Sequence, residues 1–138
     1  MVSGSCLCGG IQFEADSIPL MVNCHCSMCR KFHGAAFGSF AFVPFDEFRL
    51  LKGQDLIQLY ETSPGSYRGF CRVCGSTVPL LPSHPEEVCI PAGLLDDDPG
   101  VRPALHLFVG SKAPWWEITD DLPQFEELAP GYGPDDPK

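Results

Sequence analysis

Cys71-Arg72-Val73-Cys74-Gly75 is the stretch from which the fold is read. Two thiols three residues apart, closed by a glycine, make the turn of a zinc knuckle. Glycine suits that turn because, lacking Cβ, it relieves crowding where backbone amides approach sulfur. The pair needs two further ligands, and Cys6-Leu7-Cys8 supplies them from the start of the chain. In an extended segment, residues two apart face the same way, so Cys6 and Cys8 can grip one ion while Leu7 points aside. The resulting four-thiolate site ties the N-terminus to the middle of a sheet. Its binding free energy is on the order of 10 kcal/mol, as large as the whole stability of a small domain.

A second cluster, Cys24-His25-Cys26-Ser27-Met28-Cys29, is followed at once by Arg30-Lys31. Three close thiols are one ligand short of a closed tetrahedral site, and an open position is where zinc chemistry occurs. Cys24 and Cys26 share a face, and a turn through Ser27-Met28 returns Cys29 to them. By the same alternation His25 points away, as a packed or hydrogen-bonded histidine beside the site. Candidates for the fourth position are Cys89, His33, His84, His106 or water. Cys89, between Val88 and Ile90, reads as a small buried hydrophobe. His33 reaches back only if its segment is helical, and His84 reads as a loop residue. His106 alternates with Leu105 and Leu107, so it is either exposed or lines a pocket. Three thiolates on Zn²⁺ leave a charge of about -1 and four leave about -2. Arg30, Lys31 and Arg72 can offset that charge, and the first two can hold an anionic substrate.

The chain of 138 residues is one domain by length, read as residues 1–129 with a disordered tail over 130–138. Its 14 Pro and 14 Gly favour turns and short strands over long helices. No apolar run is long enough to cross a bilayer, and the first residues lack the basic and apolar regions of a signal peptide. A cytoplasmic address follows. In that reducing setting eight cysteines, seven of them in close groups, point to metal and not to disulfides. The net charge of -9 comes from residues 86–138, where twelve acids face Arg102, Lys112 and Lys138. Such a surface repels nucleic acids and anionic membranes, and reads most simply as a solvated face.

Strand-like runs occur at Ile11–Ala15, Met21–Cys24, Ala36–Val43, Phe48–Leu51, Ile57–Tyr60, Ser66–Cys71, Val78–Leu81, Val88–Ala92 and Leu105–Val109. The run from Phe48 to Cys71 reads as a meander. Helix is expected only after Cys26 and near Asp120–Leu128. The fold class is all-β with little helix.

Five motifs occur in order: Gly4-Ser5-Cys6-Leu7-Cys8-Gly9-Gly10-Ile11; Cys24 to Arg30 with Gly34-Ala35-Ala36-Phe37; Phe70 to Ser76; Ala92 to Asp97; and His106 to Trp116. Together they resemble the glutathione-dependent formaldehyde-activating enzyme family, whose domain is shared with centromere protein V. The resemblance spans about Gly4 to Phe125. It implies an Mss4-like, zinc-bound β-sheet fold with two zincs per chain. A structural zinc would sit on Cys6, Cys8, Cys71 and Cys74, and a catalytic one on Cys24, Cys26 and Cys29. The implied reaction joins glutathione and formaldehyde into S-hydroxymethylglutathione, a carbon–sulfur lyase activity. The zinc would activate the thiol or polarise the carbonyl. Phe32, His33, Phe37, His106, Trp115 and Trp116 are candidate pocket walls, with Arg30, Lys31, His106 and Trp115 the expected substrate contacts. The partners would be a small thiol and a small aldehyde, with no nucleic acid and no membrane. A non-enzymatic zinc-stabilised binding module and a thiol-based redox or metal-handling protein are the competing readings.

Overall fold

Short alternating runs become short strands. The computed structural model describes residues 1–84 and 86–130. In chain order the elements are β1 (Val2–Ser5), β2 (Gln12–Ala15), β3 (Leu20–Cys24), helix α1 (Ser27–His33), β4 (Gly38–Pro44), β5 (Phe48–Lys52), β6 (Ile57–Ser63), β7 (Ser66–Cys71), β8 (Leu80–His84), β9 (Glu87–Pro91) and β10 (His106–Leu107). The fold is mainly β, with strand at 39% against 15% helix. In β2, Phe13 and Ala15 are buried while Gln12 is exposed, which is the half-buried pattern of the sequence.

Among the described residues three sheets form: β1-β2-β5, β10-β3-β4-β9-β8, and the β6–β7 hairpin. Strand β1 had no sequence signal, since Val2 is its one large apolar residue. It forms because it can pair with β2, Val2 opposite Ala15 and Gly4 opposite Phe13. A Cβ at Gly4 would fall 2.3 Å from the Phe13 ring, so only glycine lets the ring lie across the strand.

Two expectations fail. The Phe48–Cys71 meander is split: β5 pairs with β2, Leu50 opposite Phe13, while β6 and β7 pair with each other. Gly53 at φ 89° and the 3₁₀ turn Gln54–Leu56 redirect the chain between them. The helix near Asp120–Leu128 is absent, because Pro123 withholds an N–H and the neighbouring backbone is engaged elsewhere. His106 N–H donates to Pro123 O and Phe125 N–H to His106 O. The tail reading over 130–138 lies outside the described residues from 131 onward.

The core has three parts. Phe13, Ala15, Ile18, Ala41, Val43, Val88 and Ile90 fill the space between the two larger sheets. A second group, with Val22, Phe40 and Leu107, surrounds Cys24 and Cys29. A third, with Ile11 and Val78, surrounds Cys6 and Cys71. Each thiol cluster therefore has its own apolar shell, which keeps water from most of the sulfurs.

Candidate functional site

The four-thiol cluster joins two turns. After β1 the chain folds back through Cys6 N–H to Ile11 O and Gly9 N–H to Cys6 O. At the end of β7, Gly75 N–H donates to Cys71 O at 2.7 Å and closes the knuckle. Gly75 is needed for its backbone, at φ 77°, and not to relieve crowding, since a Cβ there would meet nothing within 4 Å. Cys6 and Cys8 sulfurs are 3.5 Å apart and Cys8 and Cys71 sulfurs 3.9 Å. A zinc–thiolate tetrahedron with bonds of about 2.3 Å has edges of about 3.8 Å, so the donors fit the ion. Ser76 bonds to Cys74 through its hydroxyl and its amide and draws that thiol down to about 5. Ile11 N–H donates to Cys6 Sγ at 3.3 Å.

The three-thiol cluster is built by β3 and α1. Cys24 ends the strand and Cys26 is the N-cap of the helix, its sulfur accepting Cys29 N–H at 3.2 Å. A cysteine thus takes the place of the usual Ser or Asp cap. The helix turn brings Cys29 round, and the three sulfurs lie within 4.8 Å of one another. Bonds from the Cys24 and Cys29 thiols, then the Cys29 amide, hold Cys26 far below the ordinary thiol range. Those bonds drive Cys24 upward, with burial adding to the effect. Thiolates are the form in which cysteines bind a soft metal.

Among the described residues no fourth His, Cys, Asp or Glu joins these sulfurs within that distance. Cys89 is partly buried against the same apolar group, and desolvation pushes its thiol up to about 12. His33 does lie on a helix, but its ring packs edge-on against Phe40, with centroids 5.3 Å apart. The side chain of His84 lies outside the described residues. His106 turns from the sulfurs altogether. Its Nδ1 is 2.8 Å from His25 Nε2, and its Nε2 is 3.0 Å from Asp120 Oδ2.

His25 points away from the thiols, fully buried, and heads this imidazole–imidazole–carboxylate chain. Burial, then the neighbouring His106 and Lys112, lower its pKa to about 4. Its ring meets Phe37 at 4.9 Å, and Phe37 meets Trp116 at 5.8 Å. The aromatic chain thus reaches Trp116, whereas Trp115 is 69% exposed. Arg30 and Lys31 lie on α1, and neither enters an ion pair among the described residues.

Two residues had no sequence signal. Arg68, on β7, donates from Nη2 to Cys29 Sγ at 3.4 Å. Asp120 closes the histidine chain. Each is distant in sequence from what it touches, and no spacing rule reaches that far.

The structure is a small β domain whose one four-thiol and one three-thiol clusters could each hold a soft metal such as zinc. The chain belongs to the glutathione-dependent formaldehyde-activating enzyme family, whose model matches residues 1–111. A crystal structure of a Rhodobacter sphaeroides protein is similar, at a TM-score of 0.57 and 26% identity, covering 73% of this chain and 91% of that one. No curated protein matches the chain.

Proposed function

We propose that the protein is a zinc-dependent enzyme of the carbon–sulfur lyase type that adds a small thiol to a small aldehyde. Glutathione and formaldehyde, the family's named pair, are the first substrates to test. The observation that carries the reading is the difference between the clusters: Cys6, Cys8, Cys71 and Cys74 make a complete ligand set, whereas Cys24, Cys26 and Cys29 lack one member among the described residues. A zinc with an open position supplies thiol ionisation or carbonyl polarisation at neutral pH.

The chain's own residues do the rest. Cys26, Cys24 and Cys29 are the donors, and α1 holds them through its cap. Arg30 and Lys31 offer cationic charge to a carboxylate-bearing thiol. Phe37 and Trp116 form an apolar wall over His25, and His106 acts from behind it, anchored by Asp120. In the reaction a sulfur–carbon bond forms, the carbonyl π bond breaks, and the thiol proton ends on the new hydroxyl. Among the described residues no helix is long and apolar enough to cross a membrane. Eight free thiols suit a reducing compartment.

X-ray absorption at the zinc edge, with formaldehyde consumption assayed alongside, tests this. Two zincs per chain are expected, one with four sulfurs and one with three sulfurs and a lighter atom. Four sulfurs at both would convert the reading to a zinc-stabilised binding module.

A further inference from the structure

Strand β7 serves two places at once. Cys71, at its end, enters the four-thiol cluster. Arg68 is three residues earlier, so strand alternation sends it to the opposite face. There its Nη2 lies 3.4 Å from Cys29 Sγ. Its guanidinium carbon is 5.8 Å from the centre of the Phe32 ring. The recess around it is lined by Phe32, Phe40, Val78, Cys89 and Pro91.

A guanidinium in apolar surroundings needs an anion nearby, because desolvation without a partner costs several kcal/mol. Arg49, Arg102 and His106 each pair with a carboxylate. The group within hydrogen-bond reach of Arg68 is the Cys29 sulfur.

We propose that Arg68 is a positioning residue of the three-thiol site, donating a charge-assisted hydrogen bond to the Cys29 thiolate and neutralising the metal-bound cluster. This rests on the reading that Cys24, Cys26 and Cys29 hold zinc. Three thiolates on Zn²⁺ carry about -1, so one guanidinium brings the ensemble to about zero. The four-thiolate site, at about -2 by the same addition, has no such cation in its hydrogen-bond set among the described residues. An anionic thiol bound at the three-thiol site brings its ensemble to about -1, where the same site without the guanidinium would reach about -2. Strand β7 also couples the clusters, since the turn that fixes Cys71 and Cys74 fixes the strand that presents Arg68.

The test is zinc release to a chelating dye from the zinc-loaded full chain, comparing Arg68→Met and Arg68→Lys with the parent. A Cys26→Ser variant identifies the phase that belongs to the three-thiol site. Outer hydrogen bonds to metal ligands are worth about ten- to a hundredfold in affinity. Release from the three-thiol site should therefore accelerate at least tenfold in Arg68→Met and less in Arg68→Lys, with the other phase unchanged. Unchanged release, or equal acceleration of both phases, overturns the proposal. If Arg68→Met does not fold, Arg68→Lys carries the comparison, because lysine keeps the charge and loses the planar donor fork. A parent that binds one zinc ends the underlying reading. Two zincs with variant-independent release end the role of Arg68 alone.

Discussion

Single side chains divide the two clusters by what their loss should do. Cys74→Ser removes a ligand from the site that joins residues 6 and 8 to residues 71 and 74. It should leave the chain unfolded, read as loss of the β signal in far-UV circular dichroism. Cys26→Ser removes a metal ligand but keeps the helix cap, because serine is itself a favoured N-cap residue. It should leave a folded protein with one zinc and no activity, and equal unfolding in both variants would refute the division. His25 supports a different prediction. Its folded pKa of about 4 lies below the ordinary value of 6.5. The unfolded chain therefore binds the extra proton between those values, and stability is lost as pH falls through that window. At about pH 5 the loss is about 2 kcal/mol. Zinc loss also destabilises at acid pH, so the comparison is with His25→Phe, whose urea midpoint should fall less between pH 7 and pH 5. Parallel curves for the two proteins would remove His25 as the cause.

At the scale of elements, the C-terminal segment is a latch along β3. It pairs in parallel there, His106 opposite Asn23 and Leu107 opposite Cys24, and His25 N–H donates to Leu107 O. Asp120 fixes the far side of His106, although its side chain is 47% exposed. Screening limits that pair to about 1 kcal/mol or less. Asp120→Asn should therefore barely shift the melting temperature while the His25 amide exchanges faster with deuterium. An unchanged exchange rate at His25 would show that the backbone pairing alone holds the latch. This element also marks where sequence legibility stops. The thiol pairs, the helix after Cys26 and the half-buried β2 were readable because their signals are local and periodic. The latch was not, since Pro123, Gln124 and Phe125 carry no strand period and bond to a partner nearly twenty residues back. For the same reason β1 was missed and β5 was assigned to the wrong neighbour. Pairing partners are a tertiary property. Arg68 and Asp120 were invisible for this reason too, whereas Arg30 and Lys31 could be named because they adjoin Cys29.

For the whole molecule the decisive quantity is the length of chain each cluster closes. The three-thiol cluster links Cys24 to Cys29, adjoining elements already joined by the helix cap. The four-thiol cluster closes the span from Cys8 to Cys71 and ties the β1–β2 turn to the β6–β7 hairpin. Closing a long loop removes more entropy from the unfolded chain than closing a short one. Loss of the zinc at the three-thiol cluster should thus cost little of the fold, and loss of the zinc at the four-thiol cluster should cost most of it. The apolar shell around Cys6 and Cys71 adds to this, because Ile11 and Val78 pack on the ligands themselves. Graded chelation should release the metal in two steps. Activity should disappear with the first zinc, while the circular dichroism spectrum and the melting transition persist. The second zinc should leave together with the β signal, since binding at that site is folding energy. If unfolding accompanies the first equivalent, the three-thiol cluster is as structural as the other, and its open position cannot be assigned to chemistry on stability grounds.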